Sequence, residues 1–112
     1  MGELKLTKES DFMICQLYKN YLEQRKAGIS KIQAKHIGGS HQIHKSIFNK
    51  WLFEDVEETM LELNRAGLLH CISADNLVLD SFLTDSAIIY MENRFKNNVQ
   101  SVLDYLGKIK SA

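Results

Sequence analysis

Apolar residues recur at intervals of three and four along most of this chain, and at intervals of two in one short stretch. Phe12, Cys15, Leu17, Tyr18, Tyr21 and Leu22 share one helical face. Thr7 is suited to cap the start of that helix and Ala27-Gly28 to stop it, so a first helix is predicted over residues 7–26. Ser30-Lys31-Ile32-Gln33 has the S-x-x-Q form of a capping box, in which side chains satisfy two orphan amides at a helix start. Gly38-Gly39 ends the helix it opens within two turns. Ile43, Ile47 and Trp51 are spaced by four. Ser40 could cap a short helix carrying them, or residues 40–52 could form an irregular connector that drops Ile43, Phe48 and Trp51 into the core. The spacing favours a short helical turn.

Phe53, Val56, Met60 and Leu63 then form one apolar stripe on a helix over residues 53–66, with acids on the opposite side and Gly67 as its stop. Residues 68–73 and 76–82 read as strands joined at the polar turn Ala74-Asp75-Asn76. A last helix begins at the Thr84 cap and extends to Lys110. Ile88, Met91, Phe95, Val99, Val102, Leu106 and Ile109 follow steps of 3, 4, 4, 3, 4 and 3, a seam like that of a coiled coil. A helix of roughly 25 residues spans about 38 Å, more than so small a domain covers. The seam either folds back on its own domain or pairs with a second copy. The excess length favours the second copy and makes Phe95, Val99, Val102, Leu106 and Ile109 a dimer interface.

Helix, glycine stop, two-stranded hairpin and capped helix, in that order, are the back half of a winged helix-turn-helix. The expected class is therefore mainly α with a small β-hairpin (α+β). Residues 1–83 are expected to form the winged-helix core and residues 84–112 a long C-terminal dimerisation helix. Leu61-Glu62-Leu63-Asn64-Arg65-Ala66-Gly67-Leu68 and Leu83-Thr84-Asp85-Ser86-Ala87-Ile88-Ile89-Tyr90 resemble the small YjcQ-type proteins of Gram-positive bacteria and their phages. In that type the phrase after the wing is L-T-x-x-G-x-x-Y-L; here Ala87 replaces the glycine and Met91 the leucine. The resemblance implies a winged-helix fold and a phage or mobile-element setting. It carries no activity and no site residues.

Charge changes this picture. The 112 residues are neutral overall, with 14 basic and 14 acidic side chains. Residues 1–52 hold nine Lys/Arg against four Asp/Glu, residues 53–92 one against nine, and residues 93–112 four against one. Winged helices most often touch nucleic acid, yet the helix that should enter the major groove carries Glu54, Asp55, Glu57, Glu58 and Glu62 against Arg65. Phosphates repel such a surface. The basic set is instead Lys19, Arg25, Lys26, Lys31, Lys35, Lys45 and Lys50, offset within residues 19–50 by Glu23. A DNA site is accordingly expected at Lys31, Gln33, Lys35, His41, Gln42, Lys45 and Lys50, residue types that contact phosphates and base edges. The wing tip, Ser73-Ala74-Asp75-Asn76, offers no cation. Two readings follow: a dimeric DNA-binding regulator, or a protein-interaction module whose acidic helix docks a basic partner.

Other chemistry is thinly supported. His36, His41, His44 and His70 with Cys71 lack the C-x-x-C or H-E-x-x-H spacing of a zinc site, so no metal or cofactor is expected. There is no phosphate-binding glycine loop and no nucleophile elbow, so no enzyme is expected. Cys15 and Cys71, among aliphatic neighbours, read as buried thiols of a reducing compartment. Met1-Gly2-Glu3-Leu4-Lys5 lacks the apolar core of a signal peptide, Leu6 breaks a myristoylation motif, and no apolar run could span a bilayer. A cytoplasmic location is expected.

Overall fold

The computed structural model describes residues 4–109, which form six helices and a two-stranded antiparallel hairpin. Helix α1 (Lys8–Lys26) is the central element. The Thr7 side chain accepts from the Ser10 amide, and Met13, Ile14, Leu17 and Tyr18 are wholly buried on its inner face. Burying side chains of this size stabilises the fold by about 1.5–3 kcal/mol each. Helix α2 (Lys31–Lys35) starts where expected, with Ser30 Oγ accepting from the Gln33 amide. It ends at His36, before the two glycines.

Residues 40–46 are helical, as α3 (Ser40–Ser46), but Gly39 and not Ser40 is the N-cap. The Ser40 hydroxyl turns inward instead and donates to Glu57. Helix α4 (Phe53–Arg65) buries Val56, Met60 and Leu63 of the expected stripe, while Phe53 is only half-buried and stacks on His41. Strands β1 (Leu69–Ala74) and β2 (Leu77–Leu83) start one residue later than expected. Asp75 and Asn76 both take left-handed backbone angles (φ 53° and 62°), which matches the turn to the twist of the hairpin. His36 adds an isolated antiparallel bridge to Phe82, and Ser81 O accepts from the amides of Ile37 and Gly38. The segment after α2 thus lies along the open edge of β2. Gly39 is required there: a Cβ would stand 2.7 Å from the carbonyl oxygen of Leu79, the extra residue where the strand register shifts.

The long C-terminal helix is not present. The chain forms α5 (Asp85–Phe95), reverses through Lys96 and Asn97, and returns as α6 (Val99–Ile109). Lys96 and Asn97 have φ of 52° and 61°, a left-handed pair that ends α5. The Tyr18 hydroxyl donates to Asn97 Oδ1 at 3.0 Å, and Asn98 Oδ1 accepts from the Ser101 amide to start α6. The positions expected to form a dimer seam pack into this chain's own core. Phe95, Val102 and Leu106 are buried, and Val99 and Ile109 lie half-buried against them. The periodicity was real, but a seam running across a reversal can close on α1 of the same chain. The helix end expected at Lys110 lies outside the described residues. Among the described residues no helix is long and apolar enough to cross a membrane.

One polar network pins the returning helix. Arg94 of α5 donates to Asp11 of α1 at 2.7 Å, and the Tyr105 hydroxyl of α6 donates to the other oxygen of the same carboxylate. The guanidinium lies over the rings of Phe95 and Tyr105 at 4.9 and 4.8 Å. The bond to Asp11 keeps the Tyr105 phenol protonated above its ordinary range. Asp11→Ala leaves a half-buried guanidinium and a phenol without their acceptor. We expect it to lower stability by about 2 kcal/mol, read as a lower urea midpoint. A shift within error of zero would show that the seam alone holds α6.

Candidate nucleic-acid interface

The expected DNA-contacting residues do not form one group. Lys31 and Gln33 stand exposed on α2. Lys31 shares a hollow of about 430 Å³ with Arg25 and Lys26, at the junction of α1, α2 and the end of α5. Lys35 is half-buried, and its ammonium bonds Asp85 at the start of α5 (2.6 Å). His41 stacks on Phe53 (centroids 4.3 Å apart), and Gln42 lies over Gly38. Lys45 is exposed on α3, whereas Lys50 lines a separate groove beside Lys19.

What does converge is a basic end of the molecule. The Arg25–Lys26–Lys31 hollow adjoins a second one of about 510 Å³ lined by Lys26, Lys96, Asn97 and Asn98. Glu92 is the one carboxylate lining either hollow. Lys96 reaches this place only because the chain reverses there, so reading one continuous helix missed it. The visible signal was Lys96-Asn97-Asn98, a polar, asparagine-rich interruption of the seam.

The acids gather elsewhere. Glu9, Asp55, Glu58 and Glu62 line a shallow hollow by the start of α1. Sixteen residues separate Glu9 from Arg25 on α1, so the acidic and basic clusters lie about 24 Å apart along that helix. The acidic surface of α4 is not uniformly solvated. Glu62 accepts from the hydroxyls of Thr7 (3.0 Å) and Ser10 (2.7 Å), tying α4 to the start of α1. Glu57 accepts from Ser40 and from the Val78 amide (3.1 Å), tying α3, α4 and β2. Glu58 pairs with Arg65, which leaves Glu54 and Asp55 as the freest acids.

The histidines have separate partners. His36 contacts Asp80 (2.6 Å), and His44 Nε2 lies 2.8 Å from the Trp51 carbonyl. Among the described residues no three potential metal ligands come together. Cys15 is buried and Cys71 half-buried, a partial departure from the expected pair of buried thiols. Burial, with Asp11 nearby, pushes the Cys15 thiol up to about 12; burial, with Glu57 nearby, pushes Cys71 up to about 11. At pH 8 roughly one Cys71 side chain in a thousand, and fewer of Cys15, is thiolate. Both should therefore resist iodoacetamide in the folded protein and react in denaturant, as mass spectrometry would show. Rapid labelling of the native protein at either position would contradict this packing.

The Lys35 ammonium, by hydrogen bond and then by charge, holds the Asp85 carboxyl below its ordinary range. A lowered folded-state value favours the fold above the ordinary carboxylate range, and that contribution is lost as pH falls through the lowered value. Lys35→Gln should move the Asp85 titration up toward the ordinary carboxylate range, with the Lys31 charge still holding it down in part, as NMR of its carboxyl carbon would follow. An unchanged curve would remove the ion pair from solution.

Comparison with known proteins supplies no relative to set beside this geometry: no protein-family model, no curated protein and no solved structure matches the chain.

Proposed function

We propose that this protein is a non-catalytic winged-helix domain that binds nucleic-acid phosphates through the basic end of α1. The order α1, α3, α4 and hairpin, with the His36 segment along β2, fits that fold. The observation that carries the binding reading is the separation of charge. Arg25, Lys26, Lys31 and Lys96 lie at one end of α1, and Glu9, Asp55, Glu58 and Glu62 at the other. A polyanion can approach the first end without meeting the second. Lysine and arginine there supply phosphate contacts that set affinity and leave sequence unread. Helix α4, which a winged helix would ordinarily place in the major groove, instead contributes Asp55, Glu58 and Glu62 to the acidic hollow by the start of α1. The reading also needs no paired C-terminal helices, since that seam lies inside the protein.

The runner-up is a protein-interaction module that docks a basic partner at the acidic end. It is favoured by Glu54 and Asp55, which stand exposed at the start of α4 and form no ion pair among the described residues.

Binding to a mixed-sequence duplex, titrated with salt, separates the two. Four phosphate contacts give a slope of about −3.6 in log affinity against log salt. The triple variant Lys26→Gln, Lys31→Gln, Lys96→Gln should flatten that slope to about −0.9. Glu54→Gln with Asp55→Gln should leave it unchanged. Binding that ignores salt and the lysine variants would end the nucleic-acid reading, and loss of partner capture in the acidic variants would establish the other.

A further inference from the structure

The connector between α3 and α4 turns an aromatic cluster toward the middle of α1. Phe12 stacks on Trp51 with centroids 6.1 Å apart, and Phe48 lies 4.9 Å from the same indole. Phe48 is buried, but Phe12 and Trp51 are only half-buried. Helix α6 borders the far side with Leu103, which is 40% exposed. Between them runs a groove of about 760 Å³. Its charged lining residues are Lys19 and Lys50, and no carboxylate lines it. An apolar floor with cations at the margin is a recognisable chemistry: it suits a molecule with an apolar body and an anionic head.

We infer that this groove binds a small amphipathic carboxylate, its aryl or alkyl body against Phe12, Phe48 and Trp51 and its head at Lys19 and Lys50. The volume lies within the roughly 300–1,000 Å³ of small-molecule clefts. A protein partner would need roughly 20–30 residues a side, whereas eleven line this groove. The rings supply burial for the body, and stacking and edge contacts favour an aryl group. Charge selects the head. Among the described residues Lys19 pairs with Glu23, at 3.5 Å and one helical turn away, a long contact to a half-exposed carboxylate that a bound carboxylate can displace. The groove flanks the middle of α1, apart from the basic hollows at its end, so this inference does not depend on nucleic-acid binding.

Trp51 is the one tryptophan in the chain and sits in the groove, so its emission reports occupancy directly. The probe is 4-phenylbutyrate, which does not absorb at the red edge of tryptophan excitation, with 4-phenyl-1-butanol as its uncharged counterpart. The expected result is a saturable change in emission with a dissociation constant in the millimolar range or below. The alcohol should bind about fivefold more weakly, as should the acid to a Lys19→Gln, Lys50→Gln variant whose circular dichroism is unchanged. Leu103→Ser removes groove lining without touching charge and should weaken acid and alcohol alike. No saturable change, or equal affinity for acid and alcohol in the native protein, would overturn the inference. So would sedimentation showing a dimer that covers the groove and excludes the probe.

Discussion

Asp11 holds together the part of this protein that local pattern does least to specify. Its two oxygens take Arg94 from α5 and Tyr105 from α6, so one carboxylate on α1 positions both helices that follow the hairpin. A charge-assisted bond of this kind is stronger than a neutral one, and the half-buried setting screens it less than a surface pair would be screened. The aromatic rings around the guanidinium add to the same node. With it in place, the apolar face of α6 closes on α1, and Val102 and Leu106 reach the core. The reversal at Lys96 and Asn97 costs about 1–2 kcal/mol per left-handed residue, which the buried seam and the Tyr18–Asn97 bond offset.

The same fold explains why an acidic helix can sit in the middle of a scaffold. Two of the α4 carboxylates act as struts: Glu57 gathers Ser40 and the Val78 amide, and Glu62 gathers Thr7 and Ser10. Hydroxyls and an amide bond one oxygen of each carboxylate without any cation, while the other Glu57 oxygen is buried without a partner among the described residues. The acidity of α4 is therefore partly architectural: Glu54, Asp55 and the Arg65-paired Glu58 stand exposed, while Glu62 both braces α1 and lines the acidic hollow.

Charge and apolar surface divide the exterior into separate regions arranged along α1. Its start carries the acidic hollow, its middle the aromatic groove and its end the basic hollows. Lys19 and Lys50 at the groove and Lys31 at the basic end came from one run of positive charge in the sequence, but the fold assigns them to different surroundings. One uniform lysine patch would present a single continuous positive surface; here the cations stand in two separate surroundings.

Local signals determined most of the elements. Thr7, Ser30 and Thr84 cap the helices they were expected to cap, Asp75 and Asn76 turn the hairpin, and Val56, Met60 and Leu63 of the α4 stripe are buried as their spacing required. Such signals are legible because each acts over a turn or less of chain. The candidate site was legible only in part, since Lys31 could be placed on a basic surface while Lys96 could not. Tertiary structure decided the rest. The 3-4 rhythm from Ile88 to Ile109 states that a face must be buried, but holds no record of whether a partner or the same chain buries it. That choice rested on Asp11 meeting Arg94 and Tyr105, 83 and 94 residues later in the chain. Periodicity reports what must leave water, and only contacts distant in sequence settle where it goes.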